Sequence, residues 1–90
     1  MFGRIRRLLS PRSPRFEWEV TPRAERHHYS LDVFDWTFTV MPVQYNAGFR
    51  FDWEAGLPSG HVVACGHNYP DAIAAQYAAE KWLVAALAYR

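Results

Sequence analysis

Residues 29–40 read YSLDVFDWTFTV, and the point where this alternation changes phase decides the fold. Tyr29, Leu31 and Val33 alternate with Ser30 and Asp32. After Val33 the apolar positions move by one, to Phe34, Trp36, Phe38 and Val40 against Asp35, Thr37 and Thr39. A period of two marks a strand with one wet face. One extra residue in a continuous strand is a β-bulge, so a bulge is expected near Val33 and Phe34, with a tight break into two strands as the other way to change phase.

Working outward, Met41-Pro42 is expected to stop this strand, and Asn46-Ala47-Gly48 supplies turn chemistry. Phe49, Phe51 and Trp53 then alternate with Arg50, Asp52 and Glu54, the cleanest strand in the chain. A Gly/Pro/Ser loop at 56–60 leads to a Val-centred strand from His61 to Cys65. Residues 34–65 therefore read as a three-stranded antiparallel meander. Upstream, Phe16, Trp18 and Val20 alternate with Glu17 and Glu19 as a further short strand ended by Thr21-Pro22, and 23–28 reads as a polar loop or single turn. Downstream, Pro70 suits the first turn of a helix and Asp71 places negative charge where the helix dipole favours it. That helix runs to about Ala88 without internal Gly or Pro. The expected fold is α+β: an antiparallel sheet of three to four strands, a meander with one bulge, packed on a C-terminal Ala-rich helix.

Ninety residues suit one core. Half of them are hydrophobic and 17% aromatic, too apolar for a disordered chain. A single cysteine, Cys65, excludes an internal disulfide. No apolar run approaches the ~20 residues of a membrane span, and no secretory signal follows the N-terminus, so the cytoplasm is the expected location. The net charge of +1 conceals a polarity. Residues 1–15 carry Arg4, Arg6, Arg7, Arg12 and Arg15 and no acid, or +5. Residues 16–90 carry five Lys and Arg against nine Asp and Glu, or −4. Two regions follow: a basic segment over 1–15, with a short amphipathic helix over 1–9 and a Ser/Pro/Arg linker, and a single domain over 16–90.

At 100° per residue, Ala75, Ala78, Ala79, Trp82, Ala85, Ala86 and Tyr89 share one side of the helix, which is assigned to the sheet because small residues permit close approach. The other side carries Ile73, Tyr77, Leu83, Val84 and Leu87, interrupted by Gln76 and Glu80. A helix apolar on both sides is buried on both. Either the N-terminal helix folds back, laying Phe2, Ile5 and Leu9 on this stripe, or a protein partner or second copy covers it. The two faces could also be exchanged.

Other candidates are chemical. His61, Cys65 and His67 share one strand parity and are weak candidates for zinc, with His27-His28 to complete the set. Alternate residues on a strand lie ~7 Å apart, too far for one metal without a bend, so a small buried Cys beside solvent-facing histidines is expected instead. A Cys65 nucleophile requires an imidazole within hydrogen-bond reach, which spacing cannot show. Asp32, Asp35, Asp52 and Glu54 could hold a metal or act as acid and base, but such a row is ordinarily the wet face of a half-exposed sheet. The five arginines could contact phosphates or an anionic surface, against the repulsion of the acidic body.

The meander and helix over 34–88, with Ala74, Ala75, Ala78 and Ala79, are similar to the last part of a double-stranded-RNA-binding domain. That family carries a lysine cluster at the start of the helix, where this chain has Pro70-Asp71-Ala72-Ile73. The layout also looks like small sheet-plus-helix antitoxin domains. The function expected from the residues is a non-enzymatic protein-binding module without cofactor, a small accessory or inhibitory protein of bacterial or viral (phage) origin. Ile73, Tyr77, Leu83, Val84 and Leu87 would provide apolar contacts, and Asp35, Asp52 and Glu54 charge complementarity. The alternative is nucleic-acid or anionic-surface binding through the arginines of 1–15.

Overall fold

The computed structural model describes residues 14–22 and 26–89. The expected helix over 1–9 lies outside them, as do Arg4, Arg6, Arg7 and Arg12. Five strands, β1 (Glu19–Pro22), β2 (His27–Val33), β3 (Trp36–Tyr45), β4 (Gly48–Gly56) and β5 (Val62–Tyr69), precede one helix, α1 (Ala72–Ala88). The strands form a single antiparallel meander in the order β1-β2-β3-β4-β5. The fold is α+β as read, with five strands rather than three to four.

The phase change at Val33 is a hairpin and not a bulge. Val33 pairs with Trp36 across a two-residue turn, Phe34-Asp35. Partners across a hairpin share a sheet face, so a two-residue loop moves the apolar parity by one and mimics an inserted residue. The turn sets Phe34 at φ 55, in the left-handed region. β3 also runs through Pro42 to Tyr45 instead of stopping at Met41-Pro42. Val40 is the last β3 residue paired with β2, so Pro42 has a neighbour only on the β4 side and its missing N–H is not demanded by two ladders. His27 and His28, read as loop, begin β2.

The bulge belongs between β4 and β5. Phe51 pairs with Tyr69 and Trp53 with Gly66, so His67 and Asn68 together oppose Asp52. Asn68 takes a left-handed conformation, φ 68, which Asn tolerates better than most residues.

One sheet face is covered. Leu31, Phe38, Val40, Trp53 and Ala55 are buried there beneath Ala75, Ala79 and Leu83 of α1. Trp82 fills the gap between sheet and helix as expected, its ring centroid 5.4 Å from Trp36, 5.9 Å from Phe38 and 6.5 Å from Trp53. Asp71 caps the helix: its Oδ1 accepts the Ala74 N–H at 2.8 Å, a contact that contributes about 1 kcal/mol.

α1 is rotated by about 80° about its axis from the expected setting, at 100° per residue. Gln76 and Glu80, read as polar interruptions of an outer stripe, are 5% and 3% exposed, while Ala85 and Tyr89 face solvent. The reason lies in residues 14–18. α1 packs on β3, β4 and β5, and Phe16 and Trp18 pack against the core beside it. This segment precedes the first pair of the β1–β2 ladder, Glu19 with Ser30, and Glu80 reaches its N–H groups. Its Oε1 accepts the Arg15 N–H at 2.8 Å, and its Oε2 accepts the Phe16 N–H at 2.9 Å and the Trp18 indole N–H at 2.8 Å. Unpaired N–H groups near a core are costly, so the helix turns its carboxylate toward them. The strand expected from Phe16 accordingly begins at Glu19.

Candidate functional site

Two regions gather the residues singled out by the sequence, on opposite faces of the molecule. The first is the outer side of α1. Ile73, Tyr77 and Val84 are 44%, 41% and 46% exposed and follow one another along the helix. Beside them lies an open groove of about 380 Å³ lined by Arg15, Tyr77, Glu80, Lys81, Val84, Ala85 and Ala88. Leu83 leaves the proposed set, since it is fully buried against the sheet, and Leu87 is partly buried on the core. Both were placed outside because the expected rotation of the helix was wrong.

The second region is the uncovered sheet face. Asp52 and Glu54 of β4 lie on it, opposite in parity to Phe51, Trp53 and Ala55, which face the helix. Asp35 does not join them, because it occupies the β2–β3 turn. These acids therefore cannot combine with the helix stripe in one continuous contact surface. Asp32 is engaged locally, its Oδ1 accepting the Thr37 hydroxyl at 2.9 Å.

The β4–β5 bulge builds a compact constellation around Asp52. Its Oδ1 accepts the Tyr45 hydroxyl at 2.8 Å and the Asn68 N–H at 2.9 Å, and its Oδ2 lies 3.0 Å from His67 Nδ1. On the far side of the same ring, His67 Nε2 lies 3.6 Å from Cys65 Sγ. Arg50 braces the bulge from the next position, its Nε donating to Asn68 Oδ1 at 2.9 Å and its Nη2 to the Asn68 carbonyl at 3.3 Å. Cys65 is exposed, contrary to the expected buried position, because its parity turns it away from the helix. A thiol, an imidazole and a carboxylate thus stand in sequence.

The carboxylate of Asp52 is 15% exposed, and burial pushes its pKa upward. Hydrogen bonds from His67, the Asn68 amide and Tyr45 outweigh burial and hold it below the ordinary aspartate value. Tyr45 is raised, first by its hydrogen bond to that carboxylate. A carboxyl depressed in the folded state stabilises the fold above the unfolded value, roughly 4, and loses this contribution as pH falls through the folded value. Asp52→Asn should therefore lower the urea midpoint at neutral pH, with the gap to wild type closing in acid. An equal gap at both would show that Asp52 does not contribute through its charge.

Among the described residues no three His, Cys, Asp or Glu side chains converge as a metal site requires. His61, Cys65 and His67 do not form one, and both ring nitrogens of His67 already face protein groups. Tyr45 and Asn68 escaped the sequence reading. The available signal was Asn68 itself, a residue tolerant of left-handed backbone next to a strand whose parity fails at Tyr69. No helix of the described residues is long and apolar enough to cross a membrane. Compared with known protein families, with curated proteins and with solved structures, the chain matches none.

Proposed function

We propose that this chain is a protein-binding module that docks through the outer side of α1. The observation that supports it is the run of Ile73, Tyr77 and Val84, each more than 40% exposed, of which Tyr77 and Val84 line the groove beside Arg15. Covering what remains of each side chain would contribute about 1 kcal/mol, enough for three of them to anchor a contact. Arg15 and Lys81 line the same groove, so the fitting partner offers apolar side chains with acidic neighbours. This reverses the charge complementarity expected from Asp35, Asp52 and Glu54, which point elsewhere.

The test is capture from native lysate by wild type, by the double variant Tyr77→Asp/Val84→Asp, and by Glu54→Lys. The helix variant is expected to lose the captured protein and to keep its circular dichroism, since both positions are about half exposed, while Glu54→Lys retains it. Unfolding of the double variant would place the stripe in the core and end the reading. Loss of capture with Arg4, Arg6, Arg7 and Arg12 changed to Gln, together with steep salt dependence, would favour the nucleic-acid or anionic-surface alternative.

A further inference from the structure

We propose that Cys65 is a site of reversible modification by small disulfides, with His67 as its base and Asp52 as the residue that positions the base. The arrangement stands on three observations. Asp52 Oδ2 lies 3.0 Å from His67 Nδ1, which fixes the ring and assigns the Nδ1 proton to that contact. Nε2 is then the free lone pair, and it faces Cys65 Sγ at 3.6 Å. Asp52 is itself held in place through Oδ1 by Tyr45 and the Asn68 amide. Each group orients the next, the logic by which an imidazole activates a nucleophile.

The surroundings select the reaction. Cys65 is exposed and His67 is 64% exposed, so both are accessible to a small disulfide from solvent. Acyl transfer would in addition need donors for a tetrahedral oxyanion within a water-excluding cleft. The helix groove and the smaller hollow beside Phe16 and Trp18 are both lined by residues other than these three. Displacement at a disulfide builds no oxyanion.

In the step itself, His67 Nε2 takes the Cys65 proton and Sγ attacks one sulfur of the disulfide. The S–S bond breaks, its electron pair leaves on the departing sulfur, and that thiolate recovers the proton from His67. The disulfide is the oxidant, and the products are the Cys65 mixed disulfide and one free thiol. Since the chain has one cysteine, no second thiol in it resolves the adduct, which persists until an external thiol removes it.

The experiment follows the adduct by intact mass after adding oxidised glutathione at neutral pH. Folded wild type is expected to react about tenfold faster than the same chain in urea and than His67→Gln, and Cys65→Ser should give no adduct. Asp52→Asn should slow the reaction and move the His67 nitrogen NMR shifts away from the Nδ1–H tautomer, a change that lost packing alone would not cause. Near-ultraviolet dichroism confirms that the variants are folded, and His67→Gln is exposed enough to remain so. Equal rates for folded wild type, His67→Gln and the urea-unfolded chain would overturn the proposal, as would an unchanged tautomer in Asp52→Asn.

Discussion

Glu80→Ala is expected to lose about 3 kcal/mol of stability, the cost of leaving three partly buried donors without their shared acceptor. Three N–H groups depend on this one carboxylate, and the side chain is 3% exposed, so water cannot replace it without opening the core. In a domain of this size such a loss lowers Tm by roughly 10–20 °C. Glu80→Gln should fall between the two, because an amide keeps one acceptor oxygen and turns a donor toward the other N–H groups. Urea denaturation measures the loss, and amide exchange locates it: Arg15 and Phe16 should exchange quickly in the Ala variant while β3 and β4 stay protected. A Glu80→Ala variant within about 0.5 kcal/mol of wild type would show that residues 14–18 are held by other contacts.

Gly66→Ala is expected to cost a similar amount, about 3 kcal/mol, from overpacking rather than from a lost contact. A Cβ at Gly66 would overlap Trp53 Nε1 and lie 2.8 Å from the Tyr69 hydroxyl. Tyr69 could swing its ring tip aside at small cost. Trp53 cannot, because it is 4% exposed and its ring lies 6.5 Å from both Phe38 and Trp82. The strand must therefore move away from the indole, and the bulge beside it with the His67–Asp52 contact. Thermal unfolding together with the tryptophan near-ultraviolet signal checks this. Unchanged stability would mean that β5 adjusts freely, and that the bulge is not held by the packing of Trp53.

Several features were legible because they depend on neighbours in sequence. Alternation over 29–40 and 49–54 marks strands wherever it occurs, and the phase change at Val33 correctly located a break in the pattern. It did not say which break, because a hairpin of two residues and a one-residue bulge shift parity alike. The same rule puts Asp52 and Glu54 on one strand face and gives Cys65 and His67 a common parity, but it did not say that this parity faces solvent. The helix was legible in position but not in rotation. Its perimeter is apolar almost all round, so periodicity alone does not choose the buried side.

What the sequence determined by itself was the class of fold, the meander, the position of the helix and the separation of charge between the first fifteen residues and the rest. Tertiary structure decided which way α1 faces and what stands beside Cys65. In both cases the deciding contact joins residues far apart in the chain: Arg15 with Glu80 at a separation of 65, and Asp52 with His67 at a separation of 15. Local periodicity reports how each residue meets water within its own element, whereas a hydrogen bond that rotates a helix or seats an imidazole exists only once the elements are in register.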